Sequence, residues 1–426
     1  MTISQFLRLM LSVGALSMLD RLAGMGLGMI LARWLGVSGY GVYAFAMAFL
    51  SLVQIPAKWG QPSLLLRELA TSGIGPGGFN PAHVQKVAVK VALAVCLGFS
   101  VLAVPVIAYS YRDESALRSA LYLALLLLPA TVILEIACYG LKGFRYLLSS
   151  AWFATLTPNL ILLAAMALVF FCHLLAPDPN AVLSVRLLAT LGTTAVAWWM
   201  LIVATRRQRS DASAGPRMIQ MFQQGFPFML LAGSSVLMSR ADIFLLGLFA
   251  KPAEVGIYNV AFQASLFVSF GLQTANLITT QEYATLQAEN KMERLESFAI
   301  KTSRINMLIG LAALVPMIFF AGPLIRILFG NDFSGAYSLL IIQAVGRGIS
   351  LIFGEPGFIL NMGGYEKTTV RIFGATALLN VVLCFIAIPL AGATGAALAS
   401  SFSLIMWRAL AWAAVKSKVG ISCAIF

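Results

Sequence analysis

The chain has 426 residues, of which 60% are hydrophobic and only 11% are charged, and its formal net charge is +13. Soluble domains carry about 25% charged residues, so this composition excludes an ordinary soluble globular protein. Together with a mean hydropathy of +0.89, it predicts an all-α integral membrane protein without a soluble domain.

Apolar runs long enough to cross the hydrocarbon core as helices follow one another along the whole chain. In chain order they predict about twelve transmembrane helices: Phe6–Trp34, Tyr40–Leu66, Val87–Tyr111, Ala116–Leu141, Tyr146–Leu175, Ala181–Thr205, Phe226–Phe249, Val255–Tyr283, Thr302–Phe329, Ala336–Met362, Thr368–Leu390 and Ala393–Val415. In the ninth run the dipeptide Gly322-Pro323 predicts that the helix ends early.

Two stretches of the chain repeat one plan. Asp20 and Arg21 lie inside the first span, and Arg240 and Asp242 lie inside the seventh. After each pair the next span opens on a Gly-x-Tyr motif, so that Gly41–Ala46 aligns with Gly256–Ala261. The repeat predicts two six-helix lobes, residues 1–205 and 225–426, joined by a cytoplasmic linker at 206–224.

The basic residues between the spans are distributed unequally. Connections on the side of the N-terminus carry 18 of them, whereas the opposite side carries six. The positive-inside rule therefore predicts that both termini are cytoplasmic, and this asymmetry explains the positive net charge without a nucleic-acid partner. Just before the seventh span, residues 220–226 form a short amphipathic segment that is expected to lie along the membrane surface.

Nine charged residues lie more than five positions from either end of a predicted span, where a charge costs on the order of 3 kcal/mol. The cationic ones are Arg21, Lys58, Arg240, Arg347 and Arg408, and the acidic ones are Asp20, Glu135, Asp242 and Glu355. Positions one or two apart do not share a helical face, so each charge needs a partner on another helix, in water or on a ligand. Interhelical ion pairs and a transport role both remain open.

The sequence lacks the motifs of metal sites, nucleotide-binding sites and the common catalytic sites. The five cysteines are scattered without metal or disulfide spacing, which indicates no metal site. The sequence contains no Walker motif, no Ser/His/Asp constellation and no paired catalytic carboxylates, so we expect no cofactor, no catalytic residues and no enzymatic activity.

Several motifs, taken in order, resemble those of the bacterial polysaccharide (O-antigen and exopolysaccharide) flippases. They are Ala32–Ala44 (ARWLGVSGYGVYA), Trp59-Gly60, Leu66–Ala70 (LRELA), Arg240–Gly247 (RADIFLLG), Val255–Tyr258 (VGIY), Leu328–Phe333 (LFGNDF), Asn361–Thr368 (NMGGYEKT) and Ile388–Ala399 (IPLAGATGAALA). The resemblance covers essentially the whole chain.

The resemblance implies a fold similar to the MATE multidrug exporters, with two six-helix lobes around a central cavity. It implies a bacterial inner-membrane flippase that moves undecaprenyl-pyrophosphate-linked oligosaccharide to the periplasmic leaflet by alternating access, for lipopolysaccharide or other surface polysaccharide. Membrane lipids, a polysaccharide polymerase and chain-length machinery are the implied partners. The five basic residues are then candidate substrate ligands, and Asp20, Asp242, Glu355 and Glu135 are candidate ion-coupling residues or counter-ions.

Two alternatives remain at this point. An ion-coupled exporter of small molecules, similar to MATE proteins, would share the architecture but would favour carboxylates over arginines. A polymerase or ligase would need a large periplasmic loop with catalytic residues, and the predicted connections contain no such loop.

Overall fold

The computed structural model describes residues 3–71, 80–172, 176–207, 217–269, 279, 282–283, 285–287, 289 and 291–425. Every regular element within these ranges is a helix. The α-helices are α1 (Ile3–Lys58), α2 (Gln61–Thr71), α3 (Pro81–Ser110), α4 (Ser115–Gly143), α5 (Leu147–Ala151), α6 (Thr157–Cys172), α7 (Pro179–Arg207), α8 (Met218–Phe249), α9 (Pro252–Ser265), α10 (Met292–Leu328), α11 (Ala336–Leu351), α12 (Pro356–Met362) and α13 (Glu366–Lys418). A π-helical turn joins α5 to α6, and short 3₁₀ turns follow α9 and α10.

The two longest helices each contain two membrane spans. The backbone of α1 leaves helical geometry at Gly36 (φ 67°, ψ −179°), and that of α13 does so at Gly392 (φ 54°, ψ −136°). Both conformations lie at positive φ, which glycine adopts without the steric cost that other residues meet. These turns coincide with the gaps expected between the first and second and between the eleventh and twelfth spans.

The helix lengths agree with about twelve spans. Among the described residues, eight helices are long and apolar enough to cross a membrane, and the bent pair α11–α12 gives a ninth. Dividing α1 and α13 at their glycines adds two more, and α9 begins the span expected from Val255. The protein is thus an all-α integral membrane protein with about twelve transmembrane helices in two six-helix lobes.

One local expectation is wrong and a second stays a prediction. Helix α10 continues through Gly322-Pro323 to Leu328, because a proline removes only one ladder hydrogen bond and neighbouring helices compensate for such losses inside a membrane. The expected position of residues 220–226 along the membrane surface stays a prediction. These residues form part of the first turns of α8, which continue into the seventh span.

The chain divides into two compact units. The first comprises Met1–Leu35 and Phe45–Val236, and the second comprises Gly36–Ala44 and Leu237–Phe426. The sequence-based lobe boundaries stay a prediction, and most of the expected linker, residues 208–216, lies outside the described residues.

Helix α4 lies at the centre of the first unit. It packs against α2, α3 and α7, and Leu121, Leu128 and Ile136 on α4 are almost completely buried. Burying a leucine or isoleucine side chain contributes roughly 1.5–3 kcal/mol in water, and close packing takes over that role where lipid replaces water.

Helix α11 has the equivalent position in the second unit, where it packs against α9, α10 and α13. A buried apolar cluster of the same unit includes Leu295 of α10, Ile359 of α12, Val415 of α13 and Cys423 after α13.

The two glycines of the repeated Gly-x-Tyr motif contact each other within the second unit. A Cβ atom on Gly41 would overlap the carbonyl oxygen of Pro252, and one on Gly256 would overlap that of Val37. Val37 and Pro252 each precede their glycine by four residues, so the contact is reciprocal. The repeat seen in the sequence therefore marks a crossing of two backbones that only glycine permits.

Candidate functional site: membrane-embedded charge clusters

Asp242 is the most deeply buried of the nine candidate charges, with 1% of its surface exposed. Its Oδ1 atom accepts a hydrogen bond from the backbone N–H of Ile243 at 2.8 Å, and its Oδ2 atom accepts one from the Tyr258 hydroxyl at 2.5 Å. The same hydroxyl lies 3.2 Å from Oγ of Ser400. The tyrosine of the second Gly-x-Tyr motif is thus the direct partner of the buried carboxylate.

Two arginines of the second unit lie near the Asp242 carboxylate. Arg240 and Arg347 both interact electrostatically with Asp242. The Nε atom of Arg347 donates to Oγ of Ser265 at 2.9 Å, and its guanidinium lies 5.2 Å from the ring centroid of Phe262. A cation over an aromatic face gains roughly 1–2 kcal/mol when both groups are desolvated, which helps to hold Arg347 at membrane depth.

Arg408 lies between this group of charges and the break that separates α11 from α12. Its Nη2 atom lies 3.1 Å from Oε1 of Glu355, and the two side chains are 13% and 11% exposed. The Nη1 atom of Arg408 donates to the carbonyl oxygen of Gly354, which lies at positive φ in this break. Arg408 also interacts electrostatically with Arg347. The charges therefore form one connected network from Asp242 to Glu355.

We call this set, Arg240, Asp242, Arg347, Glu355 and Arg408, the second-unit network. It contains three cations and two carboxylates, so its formal charge is +1. Such a set can bind an anion through the cations and can exchange a proton or a cation at a carboxylate.

Lys58 and Glu135 form an ion pair in the first unit, between the end of α1 and the last third of α4. Their side chains are 20% and 33% exposed, so water reaches the pair. One turn earlier on both helices, Nε2 of Gln54 donates to Oγ1 of Thr131 at 2.8 Å. The two contacts form successive polar rungs between α1 and α4.

Asp20 and Arg21 lie together on α1 in the first unit. Oδ1 of Asp20 accepts a hydrogen bond from Nδ2 of Asn159 on α6 at 2.8 Å. Arg21 is partly buried and interacts electrostatically with Asp20. The carboxylate therefore finds its hydrogen-bond partner on another helix, as its position in the sequence requires.

The sequence left open whether the charges form interhelical ion pairs or have a transport role, and the described residues include examples that fit each alternative. Lys58 with Glu135 and Arg408 with Glu355 are interhelical ion pairs, which is the structural alternative. Asp242 is held by a tyrosine and a backbone N–H and lies near two arginines, an arrangement that leaves a transport role open. Among the described residues, no group of three or more His, Cys, Asp or Glu could hold a metal ion.

Sequence reasoning missed the neutral partners of these charges. Tyr258, Ser265, Ser400, Asn159 and the Gln54–Thr131 rung carry no charge and are scattered over the chain. Only Tyr258 carried a signal, because it belongs to the repeated Gly-x-Tyr motif.

Comparison with known proteins agrees with this architecture. A curated relative, the "Probable low-salt glycan biosynthesis flippase Agl15" of Haloferax volcanii, is 23% identical over 381 residues, which cover 87% of this chain and 75% of the relative. A solved MATE-family multidrug resistance transporter in an inward-facing conformation matches with a TM-score of 0.74 at 14% identity, covering 94% of each chain. The lipid II flippase MurJ in its inward closed conformation matches with a TM-score of 0.68 at 15% identity, covering 95% of this chain and 87% of MurJ.

At these identities the solved structures establish the fold alone. The family is established by the sequence model described as "Polysaccharide biosynthesis protein", which matches residues 6–281, more than half of the chain. The protein therefore belongs to this polysaccharide biosynthesis family.

Proposed function

We propose that the protein is a flippase that moves a polyprenyl-pyrophosphate-linked oligosaccharide from the cytoplasmic to the periplasmic leaflet by alternating access. The observation that carries the proposal is the second-unit network, in which cations outnumber carboxylates at membrane depth in a chain of the polysaccharide biosynthesis family. A glycan flippase among its relatives supports the substrate class.

The substrate explains why charges at membrane depth are useful. Sugar hydroxyls and a pyrophosphate lose their hydrogen bonds to water when they enter hydrocarbon, at a cost of several kcal/mol for each unsatisfied group. A transporter lowers this cost when it offers hydrogen bonds and positive charge along the path while the prenyl chain stays in lipid. Guanidinium groups suit a phosphate because they donate two parallel hydrogen bonds.

We assign different roles to the charged residues. Arg240 binds a phosphate group in the second unit, where Arg347 adds positive charge near the same Asp242. Arg21 is a separate candidate phosphate ligand in the first unit. Asp242 exchanges a proton or a cation with water, and Tyr258 orients its carboxylate. Asp20 has the corresponding role in the first unit, where Asn159 holds it.

The two ion pairs have a second function in this scheme. Lys58 and Arg408 are held by Glu135 and Glu355 when substrate is absent, and each cation can transfer to a phosphate or sugar oxygen when substrate arrives. The pair of Lys58 with Glu135 exchanges more readily, since both side chains are partly exposed to water.

The location and the partners follow from the same proposal. The excess of basic residues on the side of the N-terminus supports cytoplasmic termini. We place the protein in a bacterial inner membrane, with an undecaprenyl carrier, during the assembly of O-antigen, lipopolysaccharide or exopolysaccharide. A polysaccharide polymerase and chain-length machinery would act after it, and the protein itself would catalyse no covalent step.

Deletion of the gene in its native host tests this function. We expect the strain to lose its surface polysaccharide while lipid-linked oligosaccharide accumulates on the cytoplasmic leaflet, and a plasmid copy should restore the polymer. If the deleted strain keeps its polymer and loses only resistance to small cationic compounds, the protein is a MATE-like exporter instead.

A further inference from the structure

A strained turn separates α1 from α2 in the first unit. Helix α1 ends at Lys58, and the next two residues have positive φ angles, 45° at Trp59 and 66° at Gly60. A bulky aromatic residue in this conformation is a genuine outlier, and such outliers persist only where surrounding contacts hold them.

The contacts that hold this turn come from the first turns of α8. The indole N–H of Trp59 donates to the carbonyl oxygen of Phe222 at 2.7 Å, and the two rings stack with centroids 4.3 Å apart and planes 13° from parallel. Nε2 of Gln61 donates to the carbonyl oxygen of Met221 at 3.1 Å. Both hydrogen bonds use backbone oxygens as acceptors, which water can satisfy when the contact opens.

Two glycines let the backbones approach closely at the same place. A Cβ atom on Gly60 would overlap the carbonyl oxygen of Gly225, and one on Gly225 would overlap that of Trp59. We call the six residues Trp59, Gly60, Gln61, Met221, Phe222 and Gly225 the Trp59 latch. Met221, within this set, is fully buried.

The sequence of α8 provides a bending point next to the Trp59 latch. Pro227 lies inside α8, one turn beyond Phe222. A proline has no N–H for the carbonyl four residues earlier and disturbs the preceding turn, so helices bend at such positions. The turns from Met218 to Phe226 can therefore tilt at Pro227 while the rest of α8 keeps its packing.

The Trp59 latch also adjoins a polar site. Lys58, which pairs with Glu135, is the residue directly before Trp59. Nη2 of Arg67 on α2 donates to Oε1 of Gln224 at 3.2 Å, and the guanidinium lies 5.5 Å from the ring centroid of Phe228. A second positive charge therefore lies beside the contact between α2 and α8. The Lys58–Glu135 pair is already partly exposed, and opening the latch would widen the access of a large headgroup to it.

We propose that the Trp59 latch is a releasable closure at the cytoplasmic end of the first unit, which opens when the start of α8 tilts at Pro227. Its opening admits the sugar-phosphate headgroup to Lys58 and Glu135, and its reclosure accompanies passage towards the other leaflet. The inference rests on the proposed function for the identity of that headgroup, and on the contacts above for the latch itself.

A reversible cross-link tests whether the latch must open. In a Cys172→Ser background, which removes the exposed native thiol, Trp59→Cys and Phe222→Cys are combined and the thiols are oxidised in proteoliposomes. We expect oxidation to abolish translocation of lipid-linked oligosaccharide, and reduction to restore it. The matched control joins Gln85→Cys to Thr205→Cys, a contact between α3 and α7, and its oxidation should leave translocation unchanged.

A second measurement does not depend on the substrate. Met221→Cys reports opening of the latch through its alkylation by a water-soluble maleimide, and native Cys138, which is buried elsewhere in the same unit, is the internal control. Replacing Trp59 by Ala should increase the alkylation rate at position 221 about tenfold, since it removes an indole hydrogen bond and a ring stack, and should leave Cys138 unchanged.

Three outcomes would contradict the proposed latch. The thiols at positions 59 and 222 do not cross-link, or the oxidised protein translocates the oligosaccharide at the full rate. The third is an alkylation rate at position 221 that does not change in Trp59→Ala. If alkylation responds as expected but neither the reduced nor the wild-type protein moves the oligosaccharide, the latch stands and the proposed function fails.

Discussion

The reciprocal contact of Gly41 and Gly256 makes a sharp prediction about stability. We consider Gly41→Ala and Gly256→Ala, each of which adds one methyl group to a residue of the repeated motif. At both positions the added atom would overlap a backbone carbonyl, that of Pro252 or of Val37. A backbone oxygen cannot rotate away as a flexible side chain can, so the helices themselves must separate.

The size of the effect follows from two opposing contributions. Overpacking a well-packed contact costs typically 1–3 kcal/mol, and a backbone overlap lies at the upper end of that range. Alanine in a helix gains roughly 1 kcal/mol over glycine, which offsets part of the cost. We therefore expect each variant to lose about 1–2 kcal/mol of stability, and the double variant to lose less than the sum because one separation relieves both overlaps.

Gly24→Ala is the matched control. Gly24 lies in the same helix α1, and an added Cβ there would meet nothing within 4 Å. Thermal unfolding in detergent, followed by the loss of monodisperse protein, should show a lower Tm for Gly41→Ala and Gly256→Ala and an equal or higher Tm for Gly24→Ala. If all three variants melt with the wild type, the backbones do not cross as closely as the structure shows.

Two further predictions concern charge and thiol chemistry. Lys58→Glu places two carboxylates together beside α4 and should reduce the yield of folded protein, whereas adding Glu135→Lys should restore much of it; equal yields from the single and double variants would contradict the ion pair. Burial raises the pKa of the Cys423 thiol, after the end of α13, to about 12. Only about one thiol in 10⁴ is then ionised at pH 8, so maleimide should label Cys423 far more slowly than exposed Cys172, and the rate should rise about tenfold for each pH unit below the pKa. Equal labelling of the two cysteines by intact protein would show that the segment after α13 is not packed as described.

Much of the fold could be predicted because it depends on composition and periodicity. Apolar runs of membrane length fix the number of helices, and the glycines at 36 and 392 lie where the sequence shows gaps between spans. The Gly-x-Tyr repeat was also visible, but its meaning was not. Only the structure shows that its two glycines contact each other and that its second tyrosine binds Asp242.

The partners of the buried charges could not be predicted, because each depends on how two helices pack rather than on local spacing. Lys58 and Glu135 are 77 positions apart, and Arg408 and Glu355 are 53 apart. The expectation that a Gly-Pro dipeptide ends a helix was also too strict for a membrane helix. Soluble helices often end at a Gly-Pro dipeptide, whereas α10 continues through Gly322-Pro323.

The neutral residues that complete the candidate site could not be predicted for a related reason. Ser265 and Ser400 resemble any small polar residue in a membrane helix until the fold brings them next to Arg347 and Tyr258. The turn at Trp59-Gly60 was visible as a motif, but its contact with the first turns of α8 depends on tertiary packing.

The central claim is that intramembrane arginines carry the phosphate of a lipid-linked glycan. The most direct measurement is translocation of lipid-linked oligosaccharide in proteoliposomes, read by an impermeant glycosidase and normalised to inserted protein. The variants are Arg21→Lys, Arg21→Ala, Arg240→Lys and Arg240→Ala, with Arg326→Ala, at an exposed position near the end of α10, as the control. We predict a clear loss in the alanine variants, a partial loss in the lysine variants because an ammonium lacks the planar fork, and normal activity in the control. Normal translocation per molecule by both alanine variants would contradict the account.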